Sequence, residues 1–168
     1  LATHWILSSP PEKSTSELQS ELSSILLSEG QIRTALAYKA LAEHDLERAE
    51  EHAKLAALND PTHAQPHLVL AKVTIARVVD FVRGAVKTSK TRSELLDEVE
   101  REARLAIALA AKQNDVTTQI ESYEQLVDTK LMQHDISAAA DELAEVVKLS
   151  PDNLRVLLVQ AHVQIEKD

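Results

Sequence analysis

The residues of this 168-residue chain that could do chemistry are its seven histidines and 27 acidic side chains. His63 and His67 stand at i, i+4, the separation that puts two imidazoles on one helical face where zinc could use them. Pro66 lies between them and no third ligand is near in sequence, so they read as structural or solvent-facing residues, and no metal is expected. His44 and His134 each precede an Asp suited to capping a helix, and they read as turn residues. The carboxylates recur at i, i+3 and i+4 with Lys and Arg, which describes solvated helix faces rather than an acid/base pair. Gly30 and Gly84 are isolated, leaving no phosphate-binding loop, and no nucleophile elbow or Ser, His and Asp arrangement is present. The absence of cysteine removes a thiol nucleophile, a disulfide framework and cysteine-ligated zinc. A non-catalytic chain without a cofactor is the expectation.

A content of 44% apolar and 27% charged residues describes one globular domain, yet Trp5, Tyr38, Phe81 and Tyr123 are its whole aromatic content. The core must be built from Ala, Leu, Val and Ile. Two glycines and five prolines, with abundant Ala, Leu and Glu, favour an all-α fold of long helices. A formal charge of −9 argues against a nucleic-acid partner and against acidic membrane surfaces. No run approaches the 18 apolar residues of a membrane span, so no direct membrane insertion is expected. The chain begins at Leu1, and LATHWIL reads as a flexible leader in preference to the end of a signal or anchor. Cytoplasm and bacterial periplasm both fit, and an anchor upstream of Leu1 stays open.

The stretch HDLERAEEHAKLAALNDP, His44 to Pro61, returns 90 residues later as HDISAAADELAEVVKLSP, His134 to Pro151. Self-similarity at fixed spacing names an architecture of repeated units. In chain order, the spacing predicts a leader over 1–15, then a helix over 16–29 entered through Ser14-x-x-Glu17 and ended or bent by Gly30. Helices over 31–43 and from Asp45 to Asn59 follow. A longer helix starts at Gln65 and reaches about Val86, 87–92 is a loop, and Thr91-x-x-Glu94 opens a helix to Gln113. Thr118-x-x-Glu121 should cap the next helix, Asp135 the one after it, and a closing helix spans 153–166.

With Leu36, Ala37, Ala49, Ala53, Ala56 and Pro61 in one unit, and Tyr123, Leu126, Val127, Ala139, Leu143, Val146 and Pro151 in another, the chain resembles the tetratricopeptide repeat family. The resemblance divides residues 16–168 into the helix over 16–29, repeats over 30–63, 64–115 (with an insertion) and 120–153, and the closing helix. It implies a right-handed superhelical stack of about eight helices whose concave face holds a peptide or protein segment. At the family's contact places stand Gln31, Thr34, Tyr38 and Leu41, then Gln65, Leu68, Lys72 and Ile75, then Glu121, Glu124, Asp128 and Leu131. The carboxylates among them imply a ligand with a basic end and apolar residues, while the Lys, Arg and Asn set that clamps chaperone tails is missing. An assembly factor or scaffold, of the kind found in bacterial pilus-assembly machines, is the implied role.

Arg77, Arg83, Lys87, Lys90 and Arg92 make residues 77–92 basic, whereas Glu94, Asp97, Glu98, Glu100 and Glu102 make residues 94–102 acidic. The two stretches should neutralise each other across the turn; the rival reading makes Arg83, Lys87, Lys90 and Arg92 a docking loop for an acidic partner. A second functional reading is a regulatory or sensor domain that encloses a small ligand between the long middle helices, lined by Val78, Val79, Val82 and Ile107. Partner and oligomeric state are not written in the sequence.

Overall fold

Side-chain caps set where the helices begin. In the computed structural model, which describes residues 28–85 and 89–167, helix α1 (Glu29–Ala42) starts after Ser28, whose hydroxyl accepts from the Gln31 amide while the Gln31 side chain accepts from the Ser28 amide. Asp45, Asp115 and Asp135 accept from backbone N–H groups three residues on, opening α2 (Leu46–Asn59), α5 (Val116–Met132) and α6 (Ile136–Leu149). Thr91 and Glu94 form the expected reciprocal box at the start of α4 (Arg92–Gln113), and Pro66 occupies the first turn of α3 (Gln65–Val82). The last helix is α7 (Leu154–Lys167). Among the described residues the fold is all-helical, as the composition implies.

Three expected boundaries move. Gly30, read as a break, lies inside the first turn of α1, and Glu29 belongs to this helix rather than to the preceding one. A Cβ at Gly30 would stand 3.3 Å from the Cβ of Asp60, so glycine lets the start of α1 close on the end of α2. α5 begins at Val116 because the Asp115 carboxylate takes the Thr118 amide; Thr118 is not the cap but donates its hydroxyl to Asp115 at 2.6 Å. α3 stops at Val82, short of Val86, where Gly84 adopts φ +71°. The leader 1–15 and the helix expected over 16–29, apart from Ser28 and Glu29, lie outside the described residues.

One kind of turn recurs. His44, Asn114 and His134 have φ of 60°, 54° and 60°, and with Gly84 each closes a Schellman motif. In the first, the His44 amide donates to the Leu41 carbonyl and the Asp45 amide to that of Ala40; His134 and Asp135 repeat this on Leu131 and Lys130. Except after Gly84, the residue following the left-handed one is the Asp that caps the next helix. The paired HD segments therefore encode stop, reversal and restart in consecutive positions.

Each helix packs on its successor, and α1, α3, α5 and α7 also touch in succession. The contacts run through small residues. Ala37, Ala49 and Ala53 form one cluster with Val69 and Val73, Ala71 and Ala103 another with Val99 and Leu126, and Ala139 a third with Val127, Val146 and Val163. α4, 22 residues against 14 in α2 and α6, does not project freely. Its first turns bury Leu95 and Leu96 against Val78 and Met132, and Arg92 donates to the Met132 carbonyl.

Two predictions follow from these contacts. Ala139→Leu overpacks a site with no solvent exposure and should cost about 1 to 3 kcal/mol in urea unfolding, whereas the same change at the exposed Ala111 should be nearly neutral. At the turns, His134→Gly relieves left-handed strain and should raise stability by up to about 1 kcal/mol. His44→Gly should instead lower it, because the His44 imidazole bonds the buried Asp80 carboxylate at 3.0 Å.

Candidate functional site

The four helices that touch in succession leave a groove of about 410 Å³ along the wall they share. α1 contributes Tyr38, Leu41 and Ala42, α3 contributes Gln65, Leu68 and Lys72, α5 and its cap contribute Asp115, Thr117, Thr118 and Glu121, and α7 contributes Arg155. Leu41 and the Tyr38 ring, both half-buried, form an apolar floor over the buried Leu68. Lys72 stands 5.6 Å from the centroid of that ring, within cation–π range.

The polar wall is a continuous ion-pair chain. Lys72 donates to Glu121, Arg155 Nη1 donates to Glu121 at 3.0 Å, and Arg155 Nε lies 2.6 and 2.7 Å from the two oxygens of Glu124. It ties α3, α5 and α7 together through side chains only partly screened by water. Burial, with the Glu121 and Asp115 carboxylates, pushes the Tyr38 phenol far above its ordinary range, so it stays a neutral donor. Burial also raises the Glu124 carboxyl above its ordinary value, against the pull of Arg155.

Of the residues expected at the groove, Tyr38, Leu41, Gln65, Leu68, Lys72 and Glu121 meet there. The others have different surroundings. Gln31 serves the α1 capping box, and Thr34 is buried with its hydroxyl on the Gly30 carbonyl at 2.8 Å. Ile75 packs against the Ala71 cluster, Leu131 packs against the Val127 cluster, and Asp128 is half-buried further along α5. Glu124 reaches the groove only through Arg155. The stripe of Glu121, Glu124 and Asp128, read as an open receptor for a basic ligand, therefore has its first two carboxylates already engaged within the protein.

Arg155 was missed. Gln31 and Gln65 stand 34 residues apart, as do Glu121 and Arg155, and each of the second pair lies 90 residues after one of the first. Carrying that register into the closing helix would have found it.

The basic turn is less open than its composition suggests. Lys90 bonds Glu98 at 2.5 Å across the turn, as expected, but Arg77 pairs with Glu50 of α2 and Arg92 with the Met132 carbonyl. Arg83 is exposed, and Lys87 lies outside the described residues. Val78, Val79, Val82 and Ile107 do not converge on one cavity: Val78 sits with Leu95 and Leu96, Ile107 packs by Ala103, and Val82 is exposed.

A second cleft of about 380 Å³, between α2 and α4 over α3, has His67 on its floor, bonded through Nδ1 to Glu102 at 2.9 Å. Among the described residues no group of three or more His, Asp or Glu is placed to hold a metal ion.

The buried-side ion pairs carry a pH signature. Burial opposes ionisation of Glu102 and Glu50, but hydrogen bonds from His67 and Arg101 to the first, and from Arg77 and Lys54 to the second, hold both carboxyls below the ordinary value of 4.5. A depressed carboxyl stabilises the fold above its unfolded pKa and loses that contribution as pH falls through the folded value; Glu124, raised, has the opposite sign. In urea titrations from pH 7 to pH 3, Glu102→Gln should flatten the loss of stability below about pH 4.5, whereas Glu124→Gln should remove a gain in stability that builds as pH falls toward about 4.5 from above.

No family model matches the chain, and no curated protein or solved structure matches it at a significant level.

Proposed function

We propose that the chain is a non-catalytic interaction module, a helical repeat of the tetratricopeptide kind, that holds a peptide or protein segment in the groove of α1, α3, α5 and α7. The observation that supports this best is the convergence of side chains from four helices, separated in sequence by as many as 117 residues (Tyr38 to Arg155), on one groove with an apolar floor and a charged wall. An open groove suits a chain of side chains better than an enclosed small molecule. A scaffold or assembly role, as in envelope machines of the pilus-assembly kind, follows from the resemblance alone.

The ligand would place an apolar side chain over Leu41 and the Tyr38 ring, which are half-buried, with Leu68 buried beneath them. Its basic end would compete with Arg155 for Glu121 and Glu124. Arg155 is about half exposed, against 21% for Lys72, so it is the cation that a ligand displaces more easily. Exchange of one ion pair for another contributes little net affinity, about 0.2 to 1 kcal/mol, so the wall sets orientation and the floor sets residence time.

Selection from a displayed random-peptide library on the purified chain tests this directly. Enriched peptides should pair apolar with basic residues, lose binding to the Leu41→Glu variant, and bind Arg155→Ala several-fold more tightly. Peptides that bind wild type and Leu41→Glu equally, or a selection that enriches none, would contradict the groove reading.

A further inference from the structure

α7 has two apolar faces where a surface helix has one. Val156 and Val163 are fully buried, and with Val159 they pack in the cluster shared with α5 and α6. At about 100° of rotation per residue, Leu154, Leu157, Leu158, Ala161 and Ile165 fall within an arc of about 100° on the opposite side. There, Leu154, Leu158 and Ile165 are 72%, 63% and 71% exposed. Polar residues, Arg155 on one flank and Gln160 and Gln164 on the other, separate the two faces. A helix that is apolar on both sides is built to be covered on both.

The internal repeat says what covers the second face. Displaced by 90 residues, Leu158 falls on Leu68, Val159 on Val69, Ala161 on Ala71, Val163 on Val73 and Ile165 on Ile75. α7 is thus a second edition of α3. In α3 the corresponding face is closed: Ala71 is enclosed with Val99 and Ala103 of α4 and Leu126 of α5, Ile75 packs against the same cluster, and Leu68, at the edge of that face nearest the groove, is 1% exposed. α4 and α5 pack on each other as well as on α3, so the closing body is an antiparallel helix pair. One difference specifies its chemistry. Where α3 has His67 bonded to Glu102 of α4, α7 has Leu157, 46% exposed, so an apolar residue is required at the place of Glu102.

We infer that the exposed face of α7 is a docking surface for an antiparallel pair of amphipathic helices, seated on it as α4 and α5 are seated on α3, with an apolar side chain opposite Leu157. This does not depend on the ligand of the groove.

The test extends the chain beyond Asp168 with a second copy of its own residues 79–133, which keeps the 90-residue offset, and applies Glu102→Leu within the copy. Tethering makes the effective concentration high, so a failure to dock is decisive. Hydrogen exchange in α7 should slow by about tenfold or more relative to the unextended chain, and the copied helices should be protected. Leu158→Glu with Ile165→Glu, placed in α7 of the extended chain, should abolish both effects. An extended chain whose copied helices exchange as unfolded polypeptide, with α7 unchanged, would overturn the inference. So would sedimentation of the unextended chain as a dimer that the two Glu substitutions dissociate, since the occupant would then be a second copy. Protection of α7 that is lost on removing residues 1–27 would overturn it as well, assigning the face to the chain's own N-terminal segment.

Discussion

Helices approach one another in this protein through alanine. Ala37, Ala49, Ala53, Ala71, Ala103 and Ala139 are all closed to solvent in clusters that join successive helices, where a larger side chain would hold the backbones apart. Among the described residues the largest fully buried side chains are leucines and valines, none aromatic, so close helix approach adds to aliphatic bulk as a source of buried contact. The groove depends on it. Only because α3, α5 and α7 lie close can Lys72, Glu121, Arg155 and Glu124 form one chain of ion pairs across three helices. The same chain has a cost, since burial of Glu124 is only partly offset by Arg155, and its carboxyl is correspondingly reluctant to ionise.

Order along the chain comes from the turns. Left-handed His44, Asn114 and His134 end one helix, and the Asp after each begins the next, which leaves almost no slack for a helix to slide or rotate. A left-handed histidine is strained relative to glycine, and at His44 part of that strain is offset by its bond to Asp80, reaching from the turn to α3. His134 is exposed, and no bond of its side chain explains why histidine stands there.

Much of this was legible in the sequence. Helix type and the caps at Asp45, Thr91 and Asp135 follow from local spacing, with those at Asp45 and Asp135 reinforced by the 90-residue repeat, whereas the alanine seams and the groove places were implied only by the resemblance. The misplaced boundaries are cases of two adjacent signals competing. Asp115 and Thr118 can both cap, and the carboxylate wins by taking the hydroxyl as well as the amide. Gly30 reads as a break in one dimension and proves to be a point of close approach in three. The internal pairing of Glu121 and Glu124 was hidden for a different reason: their partner, Arg155, lies 34 and 31 residues away in a helix that spacing identified only as a closing element.

Groove and docking face both rest on α3, α4 and α5 meeting through Ala71. Methyl-resolved nuclear Overhauser spectroscopy on the intact chain measures that contact without any substitution. The structure predicts one network of methyl cross-peaks joining Ala71, Val99, Ala103 and Leu126, which belong to three different helices. Cross-peaks confined within single helices, with none linking Ala71 to α4 or α5, would contradict the packing on which both the groove and the docking face are built.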